Sequence, residues 1–181
     1  MKKIMFNDKY GLTQAVLEGR KTQTRRTFLK SGEETLLDGI TQEYLISVRS
    51  RYKVGETVAI AQPYADITPQ VDWVKCMIRK ETLGWNNKMF VRAEDMPHHI
   101  RITKIRIERL QDISEEDCLK EGIWSDENVG LEGTTYWYHG LSNSSFRTPQ
   151  EAYASLIDRI SGKGTWASNP YVFVYDFELI D

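Results

Sequence analysis

The feature that most constrains this chain is a change of phase inside its longest alternating run. From Ile100 to Leu110, Ile100 and Ile102 keep one phase of a two-residue period, while Ile105 and Ile107 keep the opposite one. Successive strand side chains point to opposite faces, so apolar residues stay on one face across such a slip only if an extra residue is inserted. The slip falls near Thr103 and Lys104 and reads as a β-bulge, a device that bends strands around small barrels.

The other segments fit the same picture. Tyr52-Lys53-Val54-Gly55-Glu56 is a turn feeding a β-branched strand, Thr57 to Gln62, which Pro63 ends. Val71 to Ile78 alternates as a second strand, Gly84 to Lys88 reads as a hairpin loop into Met89-Phe90-Val91, and Leu45 to Val48 as a short strand. Tyr171 to Phe177 is almost continuously apolar and belongs in the middle of a sheet. Helical spacing appears at Leu12, Ala15 and Val16, with Gly19 as a stop. Ser114-Glu115-Glu116-Asp117 caps and charges a helix start, and Gly122 terminates it. Thr148-Pro149-Gln150-Glu151 is a capping box opening a helix whose face carries Ala152, Leu156 and Ile160, with Tyr153 and Ile157 beside them, up to Gly162. Several strands with a few short helices imply an α+β fold built on a small closed or nearly closed β-barrel with peripheral helices.

At 181 residues the chain is expected to form a single domain. A formal net charge of −2 argues against general coating of nucleic acid, so any such binding needs a local patch. Cys76 and Cys118 stand far apart, which indicates no disulfide framework and a reducing cytoplasm. Asn7 and Asp8 end the apolar opening too early for a signal peptide, and no later run reaches membrane-spanning length, so no membrane partner is expected. His98, His99 and His139 have no carboxylate or cysteine at ligand spacing, so neither a metal nor another cofactor is expected.

One stretch does not read as core. Gly19-Arg20-Lys21-Thr22-Gln23-Thr24-Arg25-Arg26 places four cations and two threonines in eight residues. Unpaired cations are too costly to desolvate, which makes the stretch a solvated loop, a site for an anionic or polar ligand, or both.

This stretch resembles the G-x-K-x-x-T signature of the ASCH domain family, whose fold is PUA-like. The turn and strand Tyr52 to Val58, the strand-then-helix unit Ile105 to Asp117 with Glu121-Gly122-Ile123, and the closing Trp166 to Val174 resemble other parts of the family, the last in its longer, phage-associated members. Regions 27–51 and 124–147 have no counterpart in compact members and read as insertions. The resemblance implies a cleft for RNA or a nucleoside. Some compact members remove the acyl group from N4-acetylcytidine with a lysine and threonine of the signature and a glutamate from the helix after the long strand, which here are Lys21, Thr24 and Glu121.

Each residue also has a plainer role. Lys21, crowded by Arg20, Arg25 and Arg26, is expected to have a lowered pKa suited to a base, or else to be a solvated lysine. Thr24 is a nucleophile or a turn hydroxyl, and Glu121 a proton shuttle or an exposed acid at a helix end. Arg20, Arg25 and Arg26 are candidates for gripping a ligand, with a salt bridge to the acidic helix around Asp117 as the alternative for Arg25 or Arg26. Tyr64, with Trp85, Trp124, Tyr136, Trp137 and Tyr138 also in or beside expected loops, is available to stack a base, and most of the six are expected to be packing residues. The leading reading is a metal-free amidohydrolase of N4-acylated cytidine, with a nucleoside, RNA or a modified base in DNA as ligand. A non-catalytic RNA- or modified-base-binding module is the alternative.

Overall fold

The computed structural model describes residues 1–28, 39–67, 80–127, 133–141 and 145–181. Five strands among them form one sheet: β1 (Lys2–Ile4), β2 (Gln23–Thr27), β3 (Thr57–Ile60), β4 (His99–Arg109) and β7 (Tyr171–Leu179), in the order β1-β3-β4-β7-β2. β1 runs parallel to β3, and the other neighbours are antiparallel. β5 (Trp124–Asp126) and β6 (Thr135–Trp137) make a separate antiparallel pair.

The phase change of β4 is a register shift against β7 between Ile102 and Lys104. It lets Ile100, Ile102 and Ile107 all be buried although their spacing is not even. β7 lies between β4 and β2, and its Val172, Phe173, Val174 and Tyr175 are buried. Alternate residues face opposite sides of the sheet, so burial of all four means that both faces of β7 are covered there, which is why it tolerates so few polar residues.

The fold is mixed α+β, but the sheet does not close into a barrel. β1 and β2 are its two edges and do not pair. Across that gap Arg26 Nη2 donates to the Met5 carbonyl at 2.6 Å, a side-chain bridge where a closed barrel would have a ladder. β1 is three residues long, too short to pair over any length with a second neighbour. The opening left between the edges is where the two cavities described below lie.

Helices α1 (Leu12–Leu17), α2 (Gln42–Arg49), α3 (Tyr64–Ile67), α4 (Glu115–Lys120), α5 (Pro149–Ser161) and α6 (Thr165–Ser168) surround the sheet. The Leu45 to Val48 segment is therefore helical rather than a strand. Thr41 caps it by accepting from Tyr44 N, and of its apolar residues only Leu45 is buried, so local capping outweighs the β-branched pair Ile46 and Val48. The expected hairpin at Gly84 to Lys88 is also absent. Leu83–Trp85 and Lys88–Phe90 are single 3₁₀ turns, the second capped by the Asn87 side chain, and Val91 turns into a small apolar cluster with Tyr64, Ile67 and Met96. The strand expected at Val71 to Ile78, and Cys76 within it, lie outside the described residues.

α5 supplies one wall of a cavity, and its start is secured by the capping box. Thr148 Oγ1 accepts from Glu151 N at 3.2 Å, and Glu151 Oε2 accepts from Thr148 N at 3.3 Å. Thr148→Ala is expected to cost about 1 kcal/mol of stability. Hydrogen exchange should show the first turn of α5 opening before the rest of the helix; equal protection of that turn in variant and parent would contradict the assignment.

Candidate functional site

Lys21 sits between α1 and β2, where the backbone is stitched to two helices. Its N–H donates to Ala15 O at 2.9 Å, and Thr22 N–H donates to Lys120 O at 3.0 Å. The second bond brings the end of α4 beside the signature stretch. Gly122, with φ +101°, lets α4 stop there: a Cβ on it would lie 3.2 Å from Leu12 Cδ2 and 3.8 Å from Lys21 Cβ.

The result is a buried pair between residues one hundred positions apart. Lys21 Nζ lies 2.5 Å from Glu121 Oε2 and donates to the Glu121 carbonyl at 2.8 Å. The other carboxylate oxygen, Glu121 Oε1, receives Arg25 Nη1 at 3.2 Å. Both side chains of the pair are almost wholly enclosed, at 2% and 5% exposure.

Behind it lies a wider ionic network. Arg25 Nη2 is 2.6 Å from Glu108 Oε1 and 3.0 Å from Asp117 Oδ2, and Arg25 Nη1 also donates to Gln23 Oε1. Arg106 reaches Glu108 at 3.0 Å, Asp117 at 2.5 Å and Asp176 at 2.7 Å, and Gln23 Nε2 donates to Asp176. Each carboxylate of Glu108 and Asp117 is thereby shared by two guanidiniums. Arg25 is held by acids on three sides, and one of its donors goes to Glu121. It makes the salt bridge to Asp117 that was its alternative role.

These surroundings set the protonation states. Burial pulls the Lys21 ammonium below the ordinary 10.5, and the opposing charge and hydrogen bond of Glu121 do not fully offset it. The cause corrects the sequence expectation: desolvation dominates, with Arg26 and Arg25 contributing less. Burial would raise Asp117, but the hydrogen bond and charge of Arg25, helped by Arg106, hold it below its usual 3.8. Burial pushes the Cys118 thiol up to about 12 and the Tyr153 phenol well above 10.0, so both stay protonated at neutral pH.

Lys21, Thr24, Arg25, Arg26 and Glu121 all line one cavity of about 340 Å³. Phe6, Leu12, Tyr153, Leu156 and Ile160 supply apolar and aromatic wall. The Thr24 hydroxyl makes no hydrogen bond to a described residue. A hydroxyl so placed, an amine of lowered pKa and a carboxylate holding that amine are the parts needed to open an acyl–nitrogen or acyl–oxygen bond.

Two expected ligand contacts are not in this cavity. Arg20 is turned to the surface, where Nε donates to Glu18 at 2.8 Å and the guanidinium stacks 3.8 Å from the Trp124 ring. Tyr64 is buried in the separate cluster beneath Gly84. Its hydroxyl donates to Asp95 at 2.7 Å and accepts from Arg92 N at 3.0 Å, and its buried ring packs so closely under Gly84 that a Cβ there would lie 2.7 Å from Cε2, so the ring offers no open face for a base. Tyr153 takes the aromatic place instead; the sequence showed it only as a neighbour of a helix's apolar face. Among the described residues no group of three or more His, Cys, Asp or Glu could hold a metal, and no helix is long and apolar enough to cross a membrane.

Fold and site together define an α+β protein whose open sheet edge frames a cavity with a buried lysine–glutamate pair. No protein-family model matches the chain, and no curated protein is significantly similar to it in sequence. Among the solved structures similar to it is a protein from Enterococcus faecalis assigned to the DUF984 family model, at 16% identity and TM-score 0.44, covering 100% of this chain and 81% of that one. Another is an ASCH domain from Lactobacillus crispatus, at 13% identity and TM-score 0.38, covering 93% of this chain and 69% of that one. The second belongs to the family that the Gly19 to Arg26 stretch resembles. At these values neither likeness carries an argument about activity.

Proposed function

We propose that the chain is an amidohydrolase that removes the acyl group from an N4-acylated cytosine nucleoside. The observation that carries the reading is the shared cavity: a Thr24 hydroxyl with no described partner, and a Lys21 amine of lowered pKa 2.5 Å from a Glu121 oxygen. The choice of substrate class comes from the resemblance of these residues to the ASCH amidohydrolases.

In the proposed reaction neutral Lys21 takes the Thr24 proton as Thr24 Oγ1 bonds to the acyl carbon. The carbon–N4 bond then breaks, N4 receives the proton from the Lys21 ammonium, and the cytosine amine leaves. Water attacks the threonine ester, giving a proton to Lys21, and releases the carboxylic acid with Thr24 restored. Glu121 aims the amine and stabilises its charged form between the two proton transfers. Tyr153, protonated through burial, is a suitable donor to the oxyanion of each tetrahedral intermediate.

The test is hydrolysis of N4-acetylcytidine and longer acyl analogues, followed by loss of ultraviolet absorbance. Turnover is expected to rise with pH, because the base works only when deprotonated. The limb should level at an apparent pKa below 10.5, since burial lowers that of Lys21. A rate that falls as pH rises through the same range would exclude Lys21 as the base. No turnover of any analogue at high enzyme concentration would leave a binding module.

A further inference from the structure

A second cavity of about 320 Å³ adjoins the first, sharing Met5, Arg26 and Thr27 with it. Among the described residues its lining contains Lys3, Arg26, Arg49 and Arg51 and no acidic residue. Lys3 spends its ammonium on the Met89 and Val91 carbonyls, at 2.8 and 2.6 Å. The three guanidiniums are different: none forms an ion pair with a described residue, and Arg49 makes no side-chain hydrogen bond to one either. Arg26 uses Nη2 on Met5 O and spends no other donor on a described residue, while Arg51 lies 5.7 Å over the Tyr52 ring.

Convergence of like charges costs folding free energy and is out of place in a chain of net charge −2. Elsewhere this protein pairs its cations closely, as Arg25 and Arg106 show. Here Arg49 is delivered by the last turn of α2, and Arg51 follows two residues later, so one short segment aims two forks at the same space. Four aromatic residues, Phe28, Tyr52, Phe173 and Tyr175, line it beside Ile4, Met5 and Thr27. Planar forks beside aromatic rings suit a phosphate attached to a flat or sugar-like body. Arg26 stands in both linings, so it can touch the occupants of both.

We infer that the second cavity is a phosphate subsite for the ligand of the first. Arg26, Arg49 and Arg51 hold a phosphate carried by the nucleotide whose base enters the first cavity, or by its neighbour in a strand. This rests on the reading that the first cavity takes a nucleoside, and it makes the natural ligand a nucleotide or single strand instead of a free nucleoside.

Binding separates the two readings, because it needs no turnover. Calorimetric titration would compare cytidine, cytidine 3′- and 5′-monophosphates and a short oligocytidylate at low ionic strength. At least one phosphate-bearing ligand is expected to bind about ten- to a hundredfold more tightly than cytidine, as charge-assisted hydrogen bonds of this kind allow. A gain already complete with a monophosphate marks a mononucleotide, and a gain needing the oligomer marks a strand. The double variant Arg49→Gln/Arg51→Gln, checked for an unchanged thermal midpoint, is expected to bring that preference close to one. Arg49→Lys/Arg51→Lys, which keeps charge but not the fork, should retain part of it. For the oligomer the slope of log affinity against log salt should shrink by about 0.7 for each phosphate that the variant no longer neutralises.

Equal affinity for cytidine and every phosphate-bearing ligand, or a preference that survives Arg49→Gln/Arg51→Gln, overturns the subsite. Nucleotide binding that depends on these arginines without any hydrolysis of N4-acetylcytidine sinks the amidohydrolase and keeps the subsite. Hydrolysis with no phosphate preference does the reverse.

Discussion

Arg25→Met is expected to destabilise the protein by roughly 3–5 kcal/mol, the penalty for removing one partner of a buried ion network. Arg25 has 0% side-chain exposure and serves Glu108, Asp117 and Glu121 at once. Without it, Arg106 still covers Glu108 and Asp117 and Lys21 still covers Glu121, but each carboxylate is one partner short, Glu121 in an enclosed position and the other two where they are only partly exposed. For a chain of this size that penalty corresponds to a drop in Tm of roughly 6–20 °C. Denaturant unfolding of parent and variant checks it. A change below about 1 kcal/mol would mean that the network is solvated enough to behave like surface charge.

The same network predicts an acid limb. Asp117 is held below 3.8, so its contribution is complete above that value and disappears as pH falls through the lower folded value. With Arg25→Met the Asp117 limb should flatten, because the main partner favouring its charged form is gone.

On the proposed reaction, Lys21→Ala is expected to reduce turnover of N4-acetylcytidine by about 10²- to 10⁴-fold, the usual range for a positioned acid–base group. Thr24→Ala should cost at least as much, since without the hydroxyl no acyl intermediate can form. The double variant should be no slower than the worse single one, because nucleophile and base act in one step. Additive effects would instead mark two independent binding groups. Lys21→Met, which keeps much of the buried volume, separates chemistry from packing. If Lys21→Ala abolishes activity only by unfolding, Lys21→Met should recover it; if the amine matters, it should not.

Where the chain carries a strong local signal, its structure was legible beforehand. The bulge in β4, the Ser114 and Thr148 caps, the glycine stops and the apolar β7 depend on neighbours within a few residues, and each has a short-range physical cause. Leu45 to Val48 went the other way because a single cap at Thr41 decides between helix and strand where only one residue is buried. The barrel failed to close for a reason no local pattern contains, the lack of pairing between two edge strands.

The cationic stretch shows the division most clearly. Read alone, its residues point away from the core, to a solvated loop, a site for an anionic or polar ligand, or both, whereas Gln23–Thr27 is a strand and Lys21 to Arg25 are largely buried. Only the tertiary structure decided this. It buries Lys21 and Arg25 by bringing Glu108, Asp117 and Glu121 to them across separations of 83, 92 and 100 residues. It leaves Arg26 at an open edge beside Arg49 and Arg51, and sends Arg20 to Trp124. The physical reason is that the cost of a buried charge belongs to the residue, whereas its compensation depends on distance in space, which spacing along the chain does not encode.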